Sequence, residues 1–359
     1  MKWPYAARLA VSEVLGGTSQ SFPGPSATRG FSLPQRVAAE VFGVRLAPET
    51  PVWAPTDASY DRPFSVLDLA EPYRVDLEEL HSREAARNRH RVAIGKDADG
   101  RPVIVDLMGA EEGGDGPHGL LAGVIGTGRS ELLRNLVLDA AVVHPSTSLN
   151  FVLADWHGGA TWSGFERLPH VSSIITNMTA EPPLIGRFED ALRAEMHRRT
   201  EVLHHAGFTA LGAYEAARRA GDDLDEMATL LVVIENFTEF VAARPAFAGF
   251  LSEALVIGRS VGVNLLLVAS RLPESLIGVL RGVMDQLTYR IVLAMHSRQE
   301  WATALGVVAA PEMPAIRLGH GYFRSRDRAP TPFGFSEFPA SEAVVRQLSD
   351  HGPYAPRFL

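Results

Sequence analysis

The chain has 359 residues, 46% hydrophobic and 21% charged, which suits a soluble globular protein of about two domains and excludes a wholly disordered or low-complexity one. Lys and Arg number 34 against 42 Asp and Glu, and the resulting net charge of −8 disfavours duplex DNA as the main partner. With no cysteine there is no disulfide, thiolate metal site or cysteine nucleophile, and no apolar run approaches the roughly 18 to 20 residues that span a bilayer.

The opening MKWPYAARLAVSEVLGG lacks the apolar stretch and small-residue cleavage site of a secretory signal. Residues 1–60 carry Pro4, Pro23, Pro25, Pro34, Pro48, Pro51 and Pro55, which interrupt long elements; one short helix is expected near Leu33 to Phe42. Residues 64–90 read as one or two short helices ending in the mixed-charge run HSREAARNRHR, taken as a solvated helix face. Residues 1–90 are therefore assigned to an irregular, Pro-rich adaptor or linker.

From Arg91 the pattern sharpens. RVAIGKDADGRPVIVDLMG reads as a β-hairpin, with Asp99-Gly100 supplying the turn. Apolar runs then alternate with helical patterns: HGLLAGV (118–124), LNFVLAD (149–155), TLLVVIE (229–235), VNLLLVAS (263–270) and TYRIVLA (288–294). Strands apolar on both faces belong in a parallel sheet covered by helices. Leu132, Leu133, Leu136, Val137, Ala140 and Ala141 have helical spacing, as do Leu184, Phe188, Leu192 and Met196. The expected fold is α/β, a doubly wound, mostly parallel sheet over residues 91–335. The Pro-rich residues 336–359 read as a tail with one short helix near Ser341 to Leu348.

The most informative stretch is Gly123-Val124-Ile125-Gly126-Thr127-Gly128-Arg129-Ser130. Its spacing is that of a P-loop, between an apolar strand and a helix, with Arg129 in the lysine position. Glycines let backbone N–H groups turn inward around phosphates, and the helix N-terminus, with Thr127, Arg129, Ser130 and Glu131 around it, adds its positive dipole end. Ser130 would place its hydroxyl on Mg²⁺. The second element of such a site is an acid ending an apolar strand, often followed by a Glu that polarises water. Here LLVVI ends in Glu235-Asn236; Glu235 retains the charge for the metal, whereas Asn236 takes no proton.

These residues resemble the FtsK/SpoIIIE family of RecA-like P-loop ATPases, and within it the first ATPase domain of the EccC branch, the motors of type VII secretion. The resemblance runs through GPHGLLAGVIGTGRSELLRNLVL (116–138), LNFVLADWHGGATWSGFERLPHV (149–171), ITN (175–177), AEMHRRTEVLHHAG (194–207), GRSVGVNLLLVASRL (258–272), TYRI (288–291), LGV (305–307) and GHGYF (319–323). It implies ATP and Mg²⁺ as ligands and a cytoplasmic place beside a membrane secretion complex. Implied partners are further ATPase domains or subunits and, indirectly, exported helical-hairpin substrates.

Departures from the family pattern fall on the chemistry. Its P-loop lysine is Arg129, its strand-end Asp-Glu pair is Glu235-Asn236, its Asp-x-Lys-Gly-Gly is Asp155-Trp156-His157-Gly158-Gly159, and its Ser-Gln-Arg is Ala269-Ser270-Arg271. Arg and Lys are not interchangeable at a tight phosphate site, so affinity should fall. Loss of a general base removes about 10² to 10⁴ in rate. The expectation is an EccC-like module with weak nucleotide binding and impaired hydrolysis; the alternatives are a DNA translocase and a purely structural pseudo-ATPase docking domain.

Three further groups of residues carry weaker signals. Arg259, at a helix end, would reach a neighbouring subunit's nucleotide as an arginine finger or else cap its own helix. His197, His204 and His205 share a helix, but His197 and His204 stand roughly 10 Å apart, too far for one metal ion. Trp156 and Trp162, flanking Gly158-Gly159, are read as packing residues. There is no nucleophile-elbow signature.

Overall fold

The computed structural model describes residues 90–109, 111–308, 318–326, 328–335 and 341–350; the helices expected near 33–42 and within 64–90 lie outside them. Strands β1 (Arg91–Lys96) and β2 (Pro102–Asp106) form the expected hairpin. Its turn is built by Asp97, whose Oδ1 accepts from the backbone N–H of Asp99 at 3.0 Å and of Arg101 at 2.8 Å, and Gly100 takes φ +77°.

Then follow β3 (Gly119–Ala122), α1 (Arg129–Val143), β4 (Leu149–Asp155), β5 (Val171–Ile175), α2 (Pro183–His205), α3 (Leu211–Ala220), β6 (Thr229–Glu235), α4 (Phe237–Ala243) and α5 (Ala246–Val261). The chain continues through β7 (Val263–Ala269), α6 (Glu274–Met284), β8 (Tyr289–Val292), α7 (Arg298–Leu305), β9 (His320–Ser325), β10 (Thr331–Gly334) and α8 (Ser341–Asp350). Among the described residues one sheet takes all ten strands, in the order β2-β1-β10-β9-β8-β3-β7-β6-β4-β5. From β8 to β5 every pair is parallel, as the doubly apolar runs require.

The sequence reading understated the rest. β9 and β10 extend the sheet antiparallel beyond β8, and β1 joins it by pairing Lys96 with Gly334. The N-terminal hairpin is thereby fused to the sheet through the last strands of the domain. The β5 run VSSII escaped notice because its three middle residues are only half-buried. At the other end, Val344, Val345 and Leu348 of α8 are buried with α1 in one apolar cluster.

Side chains alternate across the central strands. Leu120, Val152, Val232 and Leu265 face the layer of α2, α4, α5, α6 and α7, while Leu121, Phe151, Leu231 and Leu266 face the layer of α1 and α8. A helix layer on each face leaves the carboxyl ends of the parallel strands as an open rim, where ligands of such sheets bind.

Candidate functional site

The loop 123–130 sits on that rim between its two neighbouring strands. Gly123 N–H donates to the carbonyl of Ala269 at 3.1 Å and Val124 N–H to that of Ala294 at 2.9 Å. Thr127 is buried, its hydroxyl donating to Val124 O at 2.7 Å, so its side chain braces the loop. Gly126 and Gly128 take φ +88° and +85°, which turns the peptide N–H groups inward, and Ile125 at the tip is exposed. Among the described residues no side chain caps the start of α1, so its first amides, at Arg129, Ser130 and Glu131, lie at the loop without an intrahelical partner.

Arg129 folds back across this loop. Its Nη1 donates to Gly123 O at 2.9 Å and its Nη2 to Asn236 Oδ1 at 3.5 Å. Asn236 sits at φ +58°, one residue past β6, and its Nδ2 donates to Asp155 Oδ1 at 3.2 Å. Asp155 Oδ2 accepts from Gly159 N–H at 2.8 Å, and the turn needs glycine, because a Cβ at Gly159 would lie 2.2 Å from Thr176 Cγ2. Thr161, on the same turn, donates to Glu235 Oε1 at 3.2 Å. His157 Nε2 stands 3.2 Å from Glu239 Oε2. The site is thus a connected chain of side chains, Arg129 to Asn236 to Asp155.

Two buried polar atoms in it lack any hydrogen-bond partner among the described residues: Arg129 Nε, a donor, and Glu235 Oε2, an acceptor. Orphaned buried groups are costly and rare in folded proteins. Burial, with the nearby Asp155 carboxylate, pushes the Glu235 carboxyl up to about 7, against the pull of Thr161, Arg129 and His157. Burial also draws the Arg129 guanidinium below its ordinary value, with Glu235 and Asp155 opposing. A magnesium-bound phosphate supplies what both orphans lack, an anionic oxygen for the N–H and a cation for the carboxylate. The residues present therefore fit MgATP, although Arg129 has to release Gly123 or Asn236 to turn toward it.

The other candidates separate from this cluster. Arg259 ends α5 at the amino rim of the sheet, opposite the loop within the chain, where it lines a cavity of about 460 Å³ with Arg218 and Arg219. His197, His204 and His205 are exposed on α2, and among the described residues no group of three metal-binding side chains occurs. Trp162 is buried edge-on to Phe165, and Trp156 packs edge-on against Phe240 at 5.0 Å. Sequence reasoning brought Asp155 to the pocket only through the resemblance, as part of Asp155-Trp156-His157-Gly158-Gly159 and without a role, and it did not assign Thr161. A signal existed for Asp155, since β4, like β6, is an apolar run ending in an acid, and the two acids are register partners.

Comparison with known proteins shows the family and the fold. The FtsK/SpoIIIE family model matches residues 76–319. The ESX secretion system protein EccC of Thermomonospora curvata is 47% identical over 261 residues, 72% of this chain and 20% of that protein. The ESX-4 secretion system protein EccC4 of Mycobacterium tuberculosis is 40% identical over 228 residues, 63% of this chain and 18% of the relative. The solved cytoplasmic domain of the T. curvata type VII secretion ATPase EccC superposes with a TM-score of 0.76 at 42% identity, covering 83% of this chain and 36% of that one. The pCW3 conjugation coupling protein TcpA shares the fold at 16% identity and a TM-score of 0.60, covering 97% and 98% of the two chains. The chain spans about a fifth of the length of the curated relatives it matches. Among the described residues no helix is long and apolar enough to cross a membrane.

Proposed function

The chain belongs to the FtsK/SpoIIIE family, and from that premise we propose that it is an EccC-like ATPase-type module of a type VII secretion machine that binds nucleotide weakly and turns it over slowly or not at all. In this reading the amides of the loop glycines and of α1 surround the phosphates, Arg129 replaces the usual lysine, and Ser130 and Glu235 hold Mg²⁺. Bound Mg²⁺ neutralises charge on the phosphate oxygens.

The observation that carries the reading is the position of Asn236. In this reading it takes the position of the water-polarising carboxylate, and its amide is spent between Arg129 and Asp155. An amide orients water without accepting its proton, so turnover loses the general-base contribution. Arg129 enters the same balance: its guanidinium already has protein partners, so nucleotide has to displace them. Partners in this reading are other ATPase domains, a membrane secretion complex on whose cytoplasmic side the chain sits, and exported proteins; a solved structure of T. curvata EccC (ATPases 2 and 3) holds a signal sequence peptide.

The test is calorimetric titration with MgATP and MgADP, followed by phosphate release on the same sample. Weak binding with background turnover supports the reading. Turnover of several per minute, abolished by Ser130→Ala, overturns it, and absence of any nucleotide binding leaves the structural docking domain. A second reading is favoured by the orphaned Glu235 Oε2, whose carboxyl titrates at about 7. In that reading Glu235 would leave the metal to Ser130 and act on the attacking water itself, carrying slow hydrolysis that Glu235→Gln abolishes while MgATP still binds.

A further inference from the structure

We propose that Leu318 and Phe335 form the shelf on which the base of a bound nucleotide lies, an inference that rests on the reading of loop 123–130 as a nucleotide site. Gly128 is the point where the loop passes into α1. A Cβ there would lie 3.1 Å from both Leu318 Cδ1 and Phe335 Cζ, so these two side chains close over the last glycine of the loop.

The shelf is tied to the loop through the backbone. Gly319 N–H donates to Thr127 O at 3.2 Å, and Phe335 N–H to Gly319 O at 2.8 Å. Gly319 takes φ +79°, and a Cβ on it would come within 2.3 Å of Phe335 O, so glycine is required for this close approach. Phe335 is anchored beside the buried Phe333, their ring centroids 6.0 Å apart. Leu318 is 59% exposed, an apolar side chain held over the loop and not packed into the core.

Its place relative to the acids decides what it receives. β3 leads into the loop; β7, β6 and β4 lie on one side of it and β8, β9 and β10 on the other. Asp155, Glu235 and Asn236, the residues suited to the terminal phosphate and the metal, all stand at the ends of β4 and β6. A triphosphate whose terminal group meets them sends its nucleoside the opposite way, toward β9 and β10. There the chain offers an apolar surface, which suits the flat face of a base.

The test compares MgATP with magnesium tripolyphosphate, which has the phosphates and no base, on the parent and Leu318→Ser. The same pair of titrations is repeated with Arg129→Lys added, so that weak parental binding stays readable. Leu318 is the position to change because its exposure spares the core. Leu318→Ser is expected to weaken MgATP roughly three- to fivefold and leave tripolyphosphate unchanged. Leu318→Trp should bind MgATP at least as tightly as the parent, its indole emission quenched by MgATP and not by tripolyphosphate. If Leu318→Ser binds MgATP like its parent, or loses both ligands alike, the shelf is overturned and the nucleotide site stands. If neither background binds MgATP, the nucleotide reading falls and takes the shelf with it.

Discussion

Two buried polar clusters, one at each rim of the parallel sheet, are satisfied to different degrees. At the amino rim, His118 is closed: its Nδ1 accepts from Leu265 N–H at 3.1 Å, which places the proton on Nε2, and Nε2–H donates to Leu255 O at 2.8 Å. Nearby, Arg199 Nε donates to Glu195 Oε1, while its Nη1 donates to the carbonyls of Val261 and Gly262 at the end of α5. At the carboxyl rim, Arg129 Nε and Glu235 Oε2 are left open. Buried orphans occur at the amino rim too, at Tyr289 Oη and His90 Nδ1; what sets the carboxyl rim apart is an orphaned cation and an orphaned carboxylate within electrostatic reach of each other beside a glycine loop, even though the 460 Å³ cavity lies at the amino rim.

The largest expected effect breaks the closed cluster. His118→Ala strands Leu265 N–H and Leu255 O in a dry interior, and should cost about 3 kcal/mol in denaturant unfolding at pH 7. A cost under about 1 kcal/mol would mean that the cluster is not closed by this imidazole. Burial, aided by Arg259, pulls His118 down from 6.5 to about 3. A lowered histidine value means the unfolded chain binds the proton more readily, so this contribution is complete above about pH 6.5 and lost as pH falls toward 3.

The open cluster should respond with the reverse sign. Glu235 titrates at about 7 in the fold against 4.5 unfolded, so its charge opposes folding increasingly as pH rises through that window. Glu235→Gln is therefore expected to stabilise the apo protein by about 2 kcal/mol at pH 8 and by almost nothing at pH 4, while weakening Mg²⁺-dependent nucleotide binding. Thermal melts at the two pH values check it; equal gains at both would show that the carboxylate is not buried at a cost.

Next in size is repair of the site. Arg129→Lys with Glu235→Asp and Asn236→Glu frees the guanidinium contacts and restores the acid pair, and should raise MgATP affinity about tenfold, or about 1.4 kcal/mol. The three changes should be non-additive, since Arg129 and Asn236 already touch. Affinity should return before hydrolysis, which also draws on an arginine from a neighbouring subunit in ring ATPases. A folded triple variant with no gain would place the obstruction elsewhere in the pocket. The smallest effect is expected from duplex DNA: no submicromolar binding at about 150 mM salt, and no stimulation of turnover, measured by anisotropy across a salt series.

The loop, its strand-and-helix setting, the doubly apolar parallel strands and the residues Arg129, Glu235 and Asn236 were legible in the sequence, because each is written within a few consecutive residues, as a spacing or a periodicity. What tertiary structure decided is pairing between distant segments. The closure of β1 on β10 depends on two edges meeting from the two ends of the domain, and no local period encodes that. The same holds for Arg129 bonding to Asn236, Asp155 standing beside Glu235, and Leu318 and Phe335 closing over Gly128. In each case the residue type is set locally, but the energy that makes it a brace, a proton-retaining acid or an apolar cover comes from the neighbour the folded sheet brings to it.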